Sequence, residues 1–258
     1  MKNKISIALV QTNLYWEDVT SNLDNFSKII KSIKQKVDII ILPEMFNSGF
    51  SMNAKKTSES MSGKSIKWLK ETSKQFSSAI ISSLAIKEND KYYNRLIWTD
   101  PNGDIEYYDK RHTFTLSGES DVFSKGEKNN IIEYKGWKFL PQICYDLRFP
   151  VWSRNSSGFD AIVYIANWPD KRINHWDTLL KARAIENLSY TIGVNIIGDD
   201  PFNKYIGHSS VYDPMGQQIT HLSESSETII VELDKEFISN TRKNLDFLSD
   251  QDKFFINK

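Results

Sequence analysis

Residues 37–46 read VDIIILPEMF, an aliphatic run closed by Pro43 and followed at once by Glu44. A run this short, with no polar alternation, suits a strand covered on both faces rather than one half exposed to water. Upstream, residues 5–11 (ISIALVQ) form a second run of the same kind. Between the two, Leu23, Phe26, Ile30 and Ile33 recur at steps of three, four and three, the spacing of one helical face. The first third of the chain therefore reads β-α-β.

Working outward, residues 47–63 are polar and read as a loop, followed by a helix over 65–76 and a strand over 79–85. Residues 92–98 and 105–108 flank Asp100-Pro101-Asn102-Gly103, where Pro at the second position and Gly at the fourth predict a tight turn. Residues 110–128 are a long connection with little apolar periodicity. Strands are expected at 131–134, 137–144, 161–166, 190–197, 209–212, 217–221 and 228–233, with a helix at 176–188. Strands interleaved with helices, without repeats or a linker, predict one α+β domain over residues 1–258.

The 258 residues are 40% hydrophobic and 26% charged, which excludes a disordered or fibrous chain. Lys+Arg and Asp+Glu are 33 each, so no basic excess points to nucleic acid. No apolar run approaches the ~18 residues of a membrane span. The opening Met1-Lys2-Asn3-Lys4 and the short run after it do not fit a secretory signal, and one cysteine allows no internal disulfide, so a cytoplasmic protein is expected. G-x-S-x-G, H-E-x-x-H and G-x-G-x-x-G are all missing. Gly63-Lys64-Ser65 imitates the end of a phosphate loop, but Ser58 stands where its first glycine belongs. His112, His175, His208 and His221 lack metal-ligand spacing.

Cys144 follows the strand 137–143. A lone cytosolic cysteine is commonly a small buried hydrophobe. At a strand end meeting a helix start, however, backbone N–H groups point outward, lowering a thiol pKa and offering oxyanion donors. Glu44 stands directly behind its own apolar strand, either as a loop carboxylate or as a base whose pKa burial raises. Lys110 repeats the pattern behind 105–108. Three strands thus end in Glu44, Lys110 and Cys144.

These blocks, ILPEMF, YDKRHTF and ICYDLRFP, resemble the three signature blocks of the nitrilase, or carbon–nitrogen hydrolase, superfamily, in the same order and with Lys110 and Cys144 34 residues apart. The resemblance extends over the chain and includes the helix KARAIEN (181–187); LPEMFNSGFSM and CYDLRFPVWSRN are most similar to the bacterial omega-amidase branch. It implies a four-layer α-β-β-α sandwich with two mixed sheets flanked by helices, and at least a homodimer. It implies Cys144 as nucleophile, Glu44 as base, Lys110 as oxyanion donor with the Tyr145 N–H beside it, and Glu119 as a second glutamate positioning base or substrate. No metal or organic cofactor is implied. Arg148 either grips a substrate carboxylate bidentately or makes a structural salt bridge; Phe50, Phe114 and Trp168 wall the pocket or pack the core. Arg183 and Glu186 read as an ion pair of helix packing or an interface.

The expected reaction is hydrolysis of the terminal amide of 2-oxoglutaramate or 2-oxosuccinamate through a cysteine thioester, with a small amide and water as partners. Alternatives are another small amide such as deaminated glutathione or a carbamoyl compound, a nitrile, an ammonia-transfer module, or a non-catalytic scaffold.

Overall fold

The computed structural model describes residues 3–256. In chain order the regular elements are β1 (Lys4–Gln11), α1 (Val19–Ser32), β2 (Ile39–Ile41), α2 (Ala54–Thr57), α3 (Lys64–Phe76), β3 (Ala79–Glu88), β4 (Lys91–Thr99) and β5 (Ile105–Asp109). Then follow α4 (Glu119–Val122), β6 (Ile132–Tyr134), β7 (Trp137–Ile143), β8 (Ala161–Ile165), α5 (Ile173–Asn187), β9 (Tyr190–Val194), β10 (Ile197–Asp199), β11 (Lys204–Ile206), β12 (Ser210–Tyr212), β13 (Glu227–Asp234) and α6 (Lys235–Asn244).

A six-stranded sheet runs β13-β1-β2-β3-β4-β5, and a five-stranded sheet runs β12-β9-β8-β7-β6. Both are mixed: the β1/β2, β2/β3, β7/β8 and β8/β9 pairs are parallel and the outer pairs antiparallel.

Side-chain alternation explains the layers. In β2, Ile39 and Ile41 point between the sheets, where they join Ile7, Trp137, Phe139, Val163 and Ile192 in the central core. Ile40 points the other way, under α1 and α3, against Phe26, Ile30, Ile66 and Leu69. On the far side, Ile162 and Tyr164 of β8 face Trp176, Leu180 and Ala184 of α5. Every aliphatic residue of VDIIIL is thus buried, because helices cover one face of its sheet and a second sheet covers the other. This is the expected α-β-β-α sandwich.

Four boundaries differ from the sequence reading. Residues 217–221 form no strand and meet the edge of β12 through the bridge between Tyr212 and Gln218 and through bonds linking Val211 to Ile219 and Thr220; their one aliphatic residue, Ile219, is 39% exposed, so no apolar face docks them. Residues 190–197 break into β9 and β10. The loop at 47–63 contains the single turn α2. α6 was unforeseen because it buries little beyond Ile238 and Thr241, although Asp234 caps it by accepting from the Glu236 N–H.

Candidate active site

Strand ends deliver the reactive groups to one place. Leu42-Pro43 carries the chain from β2 to Glu44, β5 runs directly into Lys110, and β7 runs directly into Cys144. Glu44 is fully buried and Lys110 nearly so. The Lys110 ammonium donates to Glu44 Oε1 at 2.8 Å and to the two Glu119 oxygens at 3.1 and 3.0 Å. Asn94, from the middle of β4, bridges the same two acids, its Nδ2 lying 2.8 Å from Glu44 Oε1 and 3.1 Å from Glu119 Oε1.

The other Glu44 oxygen accepts from the Asn167 backbone N–H at 2.9 Å, and the Asn167 side-chain amide donates to the Glu44 carbonyl at 2.7 Å. Glu119 Oε2 also takes the Phe114 N–H at 2.5 Å. Two carboxylates and one ammonium are therefore held together out of solvent contact by fixed dipoles.

The electrostatics follow from this packing. Burial alone would depress Lys110, but the charges of Glu119 and Glu44 outweigh it and hold the ammonium protonated well above its ordinary range. Burial, assisted by Glu44, raises Glu119 against the pull of Lys110. Burial and the charge of Glu44 likewise push the Cys144 thiol well above its ordinary value, more than Lys110 lowers it. The resting sulfur is consequently held as a thiol.

Cys144 has φ +44°, a left-handed conformation a β-carbon rarely adopts. Such strain persists only where surrounding contacts enforce it. Asp146 supplies them. Its Oδ2 accepts from the Ile143 N–H at 3.1 Å and the Tyr108 hydroxyl at 2.8 Å, and its Oδ1 from the His112 N–H at 2.9 Å and ring Nδ1 at 2.7 Å. One buried carboxylate thereby ties the cysteine turn to the segment that carries Lys110. The helix start expected after Cys144 is only a 3₁₀ turn, Cys144–Arg148. The Tyr145 N–H still lies in its first residues, where backbone donors lack partners within the turn.

Above Cys144 opens a cavity of about 630 Å³. Phe50, Phe114 and Trp168 all line it, as does Arg148, and the buried Lys110 ammonium lies 5.1 Å from the Phe50 ring. A second hollow of about 460 Å³ beside β5 is lined by none of Glu44, Lys110, Glu119 or Cys144. Among the described residues no carboxylate approaches Arg148 within salt-bridge distance. The Arg148 guanidinium lies 4.8 Å from the Trp168 ring and donates to His175 Nδ1 at 3.1 Å, leaving its charge unneutralised. The ion pair between Arg183 and Glu186 is present at 2.9 Å, and Arg183 also donates to the Leu147 carbonyl at 2.6 Å. No group of three or more His, Cys, Asp or Glu side chains among the described residues could hold a metal ion, and no helix among them is long and apolar enough to cross a membrane.

Asn94, Asn167 and Asp146 were missed from sequence. Asn167 stood where the strand-end rule could have found it, just beyond β8. Asn94 sits inside a strand and carries no such signal.

The carbon-nitrogen hydrolase family model matches residues 6–243. Omega-amidase YafV of Yersinia enterocolitica is 40% identical over 254 residues, spanning 98% of each chain. The 2-oxoglutaramate amidase of Bacillus subtilis is 29% identical, over 96% of this chain and 97% of that one. A CN-hydrolase superfamily structure from Xanthomonas campestris, with an arsenic adduct in its active site, superposes with a TM-score of 0.96 at 34% identity, covering 99% of this chain and 100% of that one.

Proposed function

Because the chain belongs to the carbon-nitrogen hydrolase family, we propose that it is an omega-amidase hydrolysing the terminal amide of short 2-oxo diacid monoamides. The observation that carries the chemistry is the buried Glu44–Lys110–Glu119 cluster beside a strained cysteine that opens onto a cavity. Near-complete coverage by omega-amidase relatives supports the substrate class, and the unneutralised Arg148 at the cavity wall supports a carboxylate on the substrate.

In this mechanism Cys144 Sγ attacks the amide carbon while its proton passes to Glu44, the step that a high thiol pKa demands. The carbonyl oxygen becomes an oxyanion facing Lys110 and the Tyr145 N–H. Lys110 donates to one oxygen of Glu44 and to both of Glu119, so giving up one of the two Glu119 bonds frees an N–H for the oxyanion while the ammonium stays held by both acids. Protonated Glu44 then gives its proton to the departing nitrogen, ammonia leaves, and a Cys144 thioester remains. Glu44, again a carboxylate, takes a proton from water as that water attacks the thioester. The 2-oxo diacid leaves and the thiol is restored. Glu119 and Asn94 position Lys110 and Glu44 without exchanging protons with substrate.

The same reading takes residues 1–258 as one catalytic domain, active in the cytoplasm as at least a homodimer; light scattering on the purified protein tests the assembly. Ammonia release from 2-oxoglutaramate, glutamine and pentanamide tests the activity. Preferential turnover of the 2-oxo acid amide, abolished in Cys144→Ala, is the expected result; turnover confined to a neutral amide contradicts the substrate reading.

A further inference from the structure

The rim of the cavity carries three cations, Arg148, Lys171 and Arg172, and among the described residues none has a carboxylate within 4 Å. The two acids on the same wall are already occupied. Glu17 accepts from the Ser51 hydroxyl at 2.5 Å and pairs with Lys56 at 2.8 Å. Asp200 accepts from the Phe202 and Asn203 N–H groups, each at 2.7 Å, and from the Tyr205 hydroxyl at 2.5 Å. Glu17 is thus spent on Lys56, and Asp200, held by neutral donors, makes no ion pair with any of the three cations.

Two of the three are held over aromatic faces. The Arg172 guanidinium lies 5.4 Å from the Phe114 ring, and that of Arg148 lies 4.8 Å from Trp168 and 5.9 Å from Tyr145. Phe114 and Tyr145 themselves pack with centroids 4.8 Å apart, so the two guanidinia rest on neighbouring rings of one aromatic pair. Trp168 closes the arrangement by donating its indole N–H to the Arg172 carbonyl at 2.8 Å. The guanidinia feel each other: burial lowers the Arg148 pKa, and the charge of Arg172 lowers it further. Like charges brought together at a cavity and left without counter-ions are stabilised when an anion arrives.

We propose that Arg172 acts with Arg148 as a two-guanidinium seat for the 2-oxo acid end of the substrate, and that this seat rejects amides bearing an ammonium beside that carboxylate. The proposal rests on the omega-amidase reading and names the residue that sets its selectivity. A 2-oxo acid presents a carboxylate and an adjacent carbonyl, all acceptors, which suits planar N–H donors from two arginines. Glutamine replaces the 2-oxo oxygen with an ammonium, which brings a third positive charge to the same place. Repulsion there separates two molecules that share the same terminal amide.

The test compares wild type, Arg172→Gln and Arg172→Lys on 2-oxoglutaramate, glutamine and pentanamide, which has the same chain length and no charge. Arg172 is partly buried, and circular dichroism checks that each variant is folded. In Arg172→Gln, the ratio of kcat/KM for 2-oxoglutaramate to that for pentanamide falls about 10- to 100-fold, the loss carried by KM. The preference for 2-oxoglutaramate over glutamine narrows with it, and Arg172→Lys recovers part of both. Equal losses on charged and neutral amides, or an unchanged ratio, overturn the proposal. If wild type ignores 2-oxoglutaramate altogether, the substrate reading fails separately. The seat is then decided by calorimetry of glutarate and pentanamide on Cys144→Ala with and without Arg172→Gln. Selective weakening of glutarate supports it, and equal binding overturns it.

Discussion

Replacing Lys110 with methionine removes the cation between two buried carboxylates while keeping most of the side-chain volume. Glu44 Oε1 at 2.8 Å and Glu119 Oε2 at 3.0 Å are then left facing each other with only the dipoles of Asn94, Asn167 and Phe114 for compensation. Breaking a fully buried ion pair from one side costs about 3–5 kcal/mol. For a chain of this length each kcal/mol moves the thermal midpoint by roughly 2 °C, so Lys110→Met should melt about 6–10 °C below wild type at pH 8.

The deficit should also depend on pH. Without the ammonium, burial and the charge of Glu44 raise the folded-state pKa of Glu119 above its unfolded value, with no cation left to oppose them. Protonation then favours the folded state, so stability is retained below the unfolded carboxylate range and lost as pH rises through the raised folded value. The gap to wild type is therefore smaller at pH 5 than at pH 8. The double variant Lys110→Met, Glu119→Gln removes one of the two charges and should recover much of the loss at pH 8. Scanning calorimetry of the three proteins at both pH values is the assay. A Lys110→Met protein as stable as wild type at pH 8, or a deficit that widens on acidification, would refute the electrostatic account of the cluster.

Glu44→Gln keeps the shape of the proposed base but cannot take the thiol proton; kcat/KM for ammonia release should fall about 10²- to 10⁴-fold with the fold intact by circular dichroism. Asp146→Asn lowers kcat with little change in KM, because it loosens the tie between the Cys144 turn and the Lys110 segment rather than a substrate contact; steady-state kinetics separate the two. Gly126→Ala should destabilise the protein and reduce kcat, since a β-carbon there would sit 1.9 Å from the Asp109 carbonyl oxygen, next to Lys110; thermal melting and the same assay read both effects.

The sandwich was legible wherever strands are covered on both faces. VDIIIL and AIVYI leave no polar side to misread, and all of their aliphatic residues are buried. Elements that bury little were harder to see. Residues 217–221 carry β-forming character without an apolar face, and α6 is a helix with two buried positions. In the site, Glu44, Lys110 and Cys144 stood out because each stands just past the end of a strand, apolar in the case of Glu44 and Cys144. Asn94 did not, because a single amide inside β4 looks like any polar residue on an alternating strand, and its role exists only once β4 is paired beside β5 and faces Glu119. Nor could the left-handed backbone at Cys144 be read, because the contacts that enforce it reach from Asp146 to Tyr108 and His112, 38 and 34 positions away in the chain. Arg172 was invisible for a related reason: an arginine's lack of a counter-ion is a property of its neighbours, not of its segment.

The central claim is that Cys144 carries the substrate's acyl group. Acid quenching of the enzyme during turnover of 2-oxoglutaramate, followed by intact and peptide mass spectrometry, tests it directly. The account predicts a mass gain equal to the acyl half of the substrate, mapped to the peptide containing Cys144 and absent from Cys144→Ala, which releases no ammonia. An adduct on another residue, or ammonia release that survives in Cys144→Ala, would contradict it.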